Sequence, residues 1–185
     1  MLGRKRAQNR REAAIAHSLY GAIVTQAREP VFYRDFGVAD TVDGRFDMIV
    51  LHAFLVFEKL KSLGPKGAAL AQDVVDLFFL DMDRSLREMG VGDLAVPKRV
   101  RTMAESFAGR STAYHDAVAK GDRGALAVAI GRNLFPEAEI VPSAATALAA
   151  YALGFLNLRD ASDVLLQGGV AFPDPAEFRP PVAAE

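Results

Sequence analysis

One apolar segment, residues 45–63, stands out from the mixture of apolar and polar positions along the rest of the chain. Every residue from 48 to 57 is apolar except His52. A helix that is apolar on all sides must be buried rather than laid on a surface. We therefore predict a central helix at about 43–63, roughly 30 Å long, with other helices packed around it.

Capping and breaking residues mark both ends of this central helix. Asp40 or Thr41 is placed to cap its start, and Asp43 adds negative charge to the first turn, where the helix dipole favours it. Gly64 and Pro65 are placed to end it. The central helix is therefore predicted with two defined ends.

Helical spacing of apolar residues recurs along the remainder of the chain. Ile15, Leu19 and Ile23, for example, follow one another at i, i+4 and i+8. The further predicted helices are residues 9–28, a connector of one to two turns at 30–36, and then 66–89, 93–120, 123–135 and 142–160. The predicted fold class is all-α, a single-domain bundle of about six or seven helices around the buried helix at 43–63.

Composition divides the chain into three parts. Residues 1–11 form a basic N-terminal segment, 12–160 the helical domain, and 161–185 a Pro/Gly-rich C-terminal tail that we expect Phe172 or Phe178 to pin. Residues 140–158 carry no charge but are rich in alanine rather than in strongly apolar residues. We predict a buried helix there rather than a membrane span.

Reactive groups are scarce. The 185 residues include no cysteine, which excludes disulfides, thiolate nucleophiles, cysteine-bound zinc and iron–sulfur clusters. His17, His52 and His115 belong to three different predicted helices, and Asp81 and Asp83 point about 200° apart on theirs. No P-loop, dinucleotide-binding or nucleophile-elbow motif is present. We therefore predict no enzyme, no metal and no cofactor.

Two polar residues are predicted inside the core. Asp81 lies at the edge of its helix's apolar face, so it requires a buried partner, for which His52 or an arginine is the candidate. His52 is either a core histidine bonded to a carbonyl or carboxylate, or an axial ligand of a haem-like cofactor.

Aromatic and basic clusters are the candidates for holding another macromolecule. The connector carries Phe32, Tyr33 and Phe36, which either plug the core or form an exposed apolar site, and Phe79 lies away from the centre of its helix's packing face. The candidate basic patch consists of Arg4, Lys5, Arg6, Arg10 and Arg11 at the N-terminus and Lys98, Arg99 and Arg101 at the start of the helix at 93–120. These cations are either solvated and balanced internally, or form a surface for anionic lipid or RNA.

An ordered set of motifs resembles the ubiquinol–cytochrome c chaperone family, and most closely its bacterial branch. The motifs are Phe32-Tyr33-x-Asp35-Phe36, Phe46 leading to Leu51-His52, Leu77-Phe78-Phe79-Leu80-Asp81-Met82-Asp83-Arg84 followed by Leu86-Arg87-Glu88, Tyr114, and Gly121-Asp122 leading to Arg132-Asn133-Leu134-Phe135. Together they cover roughly residues 19–136. Each motif alone is weak, but the ordered set over that length is hard to obtain by chance.

This resemblance implies an all-helical domain that binds newly synthesised cytochrome b and assists biogenesis of the cytochrome bc1 complex. We then expect Phe32, Tyr33, Phe36 and Phe79 to contact this client, and candidate further partners are the ribosome, an anionic membrane surface and a small partner subunit, with no specific DNA. The basic N-terminus lacks the apolar run of a signal peptide, so we expect a cytoplasmic protein, peripheral on the inner face of the cytoplasmic membrane. The alternatives are a haem-handling protein that uses His52 and a basic helical nucleic-acid-binding module.

Overall fold

The protein is described from a computed structural model that covers residues 2–158 and 164–181. Within these residues the chain forms helices and no strand, which confirms the predicted all-α bundle. The helices are α1 (Leu2–Ala27), α2 (Pro30–Arg34), α3 (Val42–Lys61), α4 (Gly64–Glu88), α5 (Val96–Ala119), α6 (Arg123–Leu134) and α7 (Ser143–Asn157), and a 3₁₀ helix follows at Pro175–Phe178.

Helix α3 is the centre of the bundle, as its apolar sequence predicts. Helices α1, α4, α5, α6 and α7 all contact it, and every residue from 46 to 56 is buried. Each buried large apolar side chain contributes roughly 1.5–3 kcal/mol to folding. Thr41, rather than Asp40, is the N-cap, because its hydroxyl oxygen accepts a hydrogen bond of 3.1 Å from the Gly44 amide.

Three helix starts differ from their predicted positions by two residues or more, and α5 begins at Val96 instead of residue 93. Helix α1 begins at Leu2 instead of near Asn9, so the described part of the basic N-terminal segment is helical. Helix α3 ends at Lys61, and Gly64, with a φ of +63°, begins α4, so that Pro65 lies in the first turn of α4. A side chain at Gly67 would come within 2.0 Å of the Leu60 carbonyl oxygen, because the α3–α4 hairpin is tight.

The C-terminal tail packs onto the core beyond residue 160, the predicted end of the helical domain. Both candidate aromatics anchor it: the ring of Phe172 stacks on Phe155 at 4.8 Å, and the ring of Phe178 meets Tyr151 edge-on at 5.7 Å. Leu165 is also fully buried. Residues 164–181 therefore belong to the same core as the helices.

The uncharged segment at 142–158 forms α7, which packs against α6 and α3. A Cβ at Gly131 would lie 3.6 Å from that of Ala145, so small residues let α6 and α7 pack together. Most of one α7 face is buried, as predicted. Among the described helices, none is both long and apolar enough to cross a membrane.

Helices α1 and α4 run side by side in the same direction. Arg11 lies beside Lys66 at the start of α4, whereas Tyr20, further along α1, reaches Asp81 near the end of α4. Helix α5 then returns after a short loop. The bundle therefore has two ends, separated by the roughly 35 Å length of α4: the α1–α4 end, where both helices begin, and the α4–α5 end, where α4 ends and α5 begins.

Candidate functional site

The aromatic connector is part of the core, which corrects the placement of two predicted client contacts. Phe32 and Phe36 are 0% and 2% exposed, and the Phe32 ring meets His52 and Tyr151 edge-on at 5.3 and 5.4 Å. Tyr33 is half-buried and its hydroxyl donates to the Ala27 carbonyl at 2.7 Å. Because α2 turns its aromatic side inwards, Phe32 and Phe36 offer no surface to a partner.

Phe79 is half-buried between neighbouring rings. Its centroid lies 4.9 Å from that of Phe78 and 5.8 Å from that of Phe107 on α5. These contacts give it a packing role between α4 and α5. Contact of Phe79 or Tyr33 with a client stays a prediction.

His52 is fully buried and belongs to a closed chain of hydrogen bonds. Its Nδ1 lies 2.8 Å from the Met48 carbonyl oxygen and its Nε2 lies 3.0 Å from the Tyr151 hydroxyl, which in turn accepts from the Gln26 amide at 3.2 Å. The carbonyl can only accept, so Nδ1 carries the proton and Tyr151 donates to Nε2. Burial lowers the pKa of His52 to about 4, so the ring is neutral at pH 7. With both nitrogens bonded, the ring offers no open position to a haem iron.

Asp81 has a different partner from either predicted one. The Tyr20 hydroxyl of α1 donates to its Oδ2 at 2.7 Å, and Asp81 is half-buried rather than buried. The pKa of Tyr20 is raised, mainly because the hydroxyl is buried and secondly because it donates this hydrogen bond to Asp81. The interaction joins α1 to α4 and leaves His52 to its own network.

Asp47, which the sequence analysis did not identify, is the buried carboxylate of the core. It is 4% exposed, and the Nε of Arg110 lies 2.9 Å from its Oδ1, an ion pair without an aligned hydrogen bond. Burial raises the pKa of Asp47 to about 6, and the charge of Arg110 opposes this rise. Helical spacing offered a signal: Arg110 continues the apolar stripe of Met103, Phe107 and Tyr114, where a cation requires a buried partner.

An open groove lies above this ion pair at the α4–α5 end. It has a volume of about 710 Å³. Phe46 and Leu86 are its buried members, and the Arg110 guanidinium lies 5.5 Å from the Phe46 ring centroid. The other lining residues are Val42, Asp43, Met89, Val91, Ala95, Lys98, Arg99, Thr102, Met103 and Ser106. The groove thus combines an apolar floor with a mainly cationic rim.

The structure divides the predicted basic patch into separate parts. Lys98 and Arg99 line the groove and have no ion pair within the described residues, whereas Arg101 pairs with Glu105 at 3.0 Å. Arg6, Arg10 and Arg11 are exposed and belong to the opposite, α1–α4 end, while the side chains of Arg4 and Lys5 lie outside the described ones. Because roughly 35 Å separates the two ends, the cations do not form one continuous nucleic-acid surface.

Acidic and histidine side chains do not converge on a metal. Within the described residues no group of three or more potential ligands is close enough to hold an ion. Asp83 instead pairs with Arg87 at 2.7 Å, and His115 lies 3.2 Å from Glu58. The groove is therefore the candidate binding site, and its chemistry is apolar contact with a cationic rim.

Comparison with known proteins gives a consistent set of relatives. The model of the family described as ubiquinol-cytochrome C chaperone matches residues 34–172. Ubiquinol-cytochrome-c reductase complex assembly factor 1 of Xenopus laevis is 25% identical over 157 residues, which cover 83% of this chain and 78% of the relative. The Mus musculus protein of that name is 24% identical over 165 residues, covering 88% of this chain but only 56% of the relative.

A solved structure shows the same fold over nearly the whole chain. The Cbp3 homolog from Brucella abortus is similar with a TM-score of 0.82 and 39% sequence identity, over 95% of this chain and 98% of that one. The family match reaches into the C-terminal tail as far as Phe172. This agrees with the packing of that tail against the core.

Proposed function

This chain belongs to the ubiquinol-cytochrome C chaperone family, and from that premise we propose that it binds newly synthesised cytochrome b and assists assembly of the cytochrome bc1 complex. The names of the curated relatives, assembly factors of ubiquinol–cytochrome c reductase, support this proposal. In this role the chain holds a client and has no reaction to catalyse. The role therefore requires binding surface and no catalytic group.

The observation that carries the proposal is the groove at the α4–α5 end. Cytochrome b is a multi-span membrane protein, so each newly made transmembrane segment exposes apolar surface until it is assembled. Covering such surface gains about 25 cal/mol per Å². Phe46, Leu86 and Met103 supply apolar contact in the groove, and a methionine adapts to segments of different shape.

The charge of the groove favours segments whose flanks carry acidic residues. Three cations, Lys98, Arg99 and Arg110, line it, against the carboxylate of Asp43 at the rim and that of Asp47 below. Cations at a rim strengthen encounter with acidic flanks and add specificity more than affinity. The client segment is thus held by apolar contact and oriented by its charged ends.

The proposal is tested by capture of cytochrome b with a groove variant. Thr102→Glu combined with Ser106→Glu places two carboxylates on the α5 wall of the groove and removes no core atoms. The tagged full chain is produced in host cells that lack their own copy, crosslinked in native membranes, and purified. We expect the unaltered chain to capture cytochrome b and the variant to capture at least about tenfold less, because charge in the groove opposes apolar contact.

Thr112→Glu provides the matched control. Thr102 and Thr112 lie on the same helix, both are exposed, and each hydroxyl donates to the carbonyl four residues earlier. Thr112 is outside the groove, so its variant should capture cytochrome b normally. The proposal fails if cells without the gene keep normal cytochrome b levels. It also fails if the groove variant and the Thr112→Glu control capture the same amount of cytochrome b.

A further inference from the structure

Exposed apolar side chains gather at the α4–α5 end of the bundle. Val42 and Met89 are each more than half exposed there, and Leu94, in the loop between α4 and α5, is 99% exposed. A fully exposed leucine gains nothing for the fold. Contiguous exposed apolar residues mark a surface that another molecule or a membrane covers.

Two cations beside these side chains are available to a partner. Lys98 and Arg99 follow Leu94 in the first turn of α5, and within the described residues neither has an ion-pair partner. The one acid inside the loop, Asp93, pairs at 2.6 Å with Arg87, a cation that it shares with Asp83. Glu88 and Asp43 are the remaining acids nearby.

We propose that this end of the bundle docks onto the surface of an anionic phospholipid bilayer. Leu94 and Met89 enter the boundary between headgroups and acyl chains, and Lys98 and Arg99 contact the lipid phosphates. Neither contribution suffices alone, since stable peripheral binding takes an apolar anchor together with basic residues. An RNA backbone would engage the cations but would leave Leu94 in water, so the bilayer accounts for both features.

Docking by this end determines which way the groove faces relative to the bilayer. Met89, Lys98 and Arg99 belong both to the groove and to the docking end, so the groove opens beside the bilayer. A transmembrane segment leaving the groove would then meet lipid directly. Docking itself does not depend on the identity of the client, and the two are tested separately.

The chain contains no tryptophan, so a single introduced indole reports insertion without background. Leu94→Trp is added to vesicles of phosphatidylcholine containing about 30% phosphatidylglycerol, and to vesicles of phosphatidylcholine alone. We expect its emission to shift to the blue with the anionic vesicles only. Ile140→Trp, at an 82% exposed position in the α6–α7 connection, is the matched control and should not shift.

Charge reversal at the two ends of the bundle tests the cations. Lys98→Glu with Arg99→Glu should reduce partitioning onto anionic vesicles by about 25-fold or more, since each membrane-facing cation contributes about fivefold. Arg10→Glu with Arg11→Glu, at the α1–α4 end, should leave partitioning unchanged. The proposal is overturned if the indole at position 94 does not shift with anionic vesicles, if it shifts only with RNA, or if the second pair alone abolishes partitioning.

A further comparison separates docking from client binding. Thr102→Gln with Ser106→Gln fills part of the groove without adding charge and should still partition onto vesicles. Leu94→Asp lies outside it and should lose partitioning. If the unaltered chain captures cytochrome b but binds no vesicle, docking is refuted and the client proposal stands; vesicle binding without capture refutes only the client proposal.

Discussion

Two buried ionisable groups of α3 have very different surroundings. His52 lies on the closed side of the helix, where Phe32, Tyr151 and Phe172 surround it and both ring nitrogens are bonded. Asp47 lies on the open side, where the ion pair with Arg110 is its polar contact and the groove begins directly above. A buried polar group can therefore have one of two roles, depending on how many of its hydrogen bonds are made. A fully bonded one specifies the packing, whereas a partly bonded one lies where surface is left for a partner.

Removing an aromatic ring from the closed side should have the largest effect on stability. Phe32→Ala deletes a fully buried ring that contacts Phe36, His52 and Tyr151. We expect the free energy of unfolding to fall by about 3–5 kcal/mol, measured by urea denaturation. Met89→Ala on the open side should change it by no more than about 0.5 kcal/mol. A loss below about 1 kcal/mol for Phe32→Ala would contradict the closed packing.

Half-buried rings on the two sides provide a finer comparison. Phe172→Ala should cost about 2 kcal/mol and admit water to His52, whose pKa should rise towards its ordinary value because its burial is relieved. Phe79→Ala, on the other side, should cost a similar amount without moving that pKa. The imidazole proton resonances report the pKa. An unchanged His52 pKa in Phe172→Ala would show that the tail does not seal this side.

The two groups should also give opposite dependences of stability on pH. The pKa of His52 is about 4 in the folded chain against 6.5 unfolded, so between these values the unfolded chain binds more protons and stability falls as pH falls. The pKa of Asp47 is about 6 when folded against 3.8 unfolded, so its contribution to stability is full below pH 3.8 and is lost as pH rises through 6. Each contributes a slope of up to about 1.4 kcal/mol per pH unit.

Replacing each group isolates its slope. Between pH 6 and 4 the two slopes oppose each other in the unaltered chain, so His52→Gln should shift the slope towards higher stability at lower pH, whereas Asp47→Asn should shift it towards lower stability. Urea denaturation at a series of pH values measures both. Wild-type slopes in both variants would mean that neither group titrates as its burial requires.

The smallest effect on stability is expected at the groove rim. Lys98→Glu with Arg99→Glu changes two exposed side chains without ion pairs, so the free energy of unfolding should change by no more than about 0.5 kcal/mol. Partitioning onto anionic vesicles should nevertheless fall by about 25-fold or more. A large loss of stability in this variant would assign these cations to the fold instead of to a partner.

The periodicity of apolar residues was sufficient to predict most of the helices but little of the candidate site. The apolar run around His52 predicted the central helix, and Thr41 and Asp122 act as caps, Asp122 through a 2.8 Å bond from the Ala125 amide. The groove was not predictable in this way. It is formed by the ends of three helices, whose relative positions depend on long-range packing that leaves no period in the sequence.

Individual polar and aromatic side chains were misplaced for related reasons. Asp81 was correctly expected to need a partner, but Tyr20 is distant in sequence and its hydroxyl is neutral, so a search for charges missed it. Phe32 and Phe36 lie in a connector too short to show which side faces inwards. The resemblance of the ordered motifs to a chaperone family was confirmed by the family match.

The tail packing also constrains when the fold can be completed during synthesis. His52 is enclosed by Tyr151 and Phe172, roughly one hundred residues and more further along the chain. Until those residues have been translated, a histidine and a row of large apolar side chains in α3 stay uncovered. For most of its own synthesis the chain thus exposes apolar surface that favours aggregation. Its mature form is proposed to cover the same kind of surface on a newly made client.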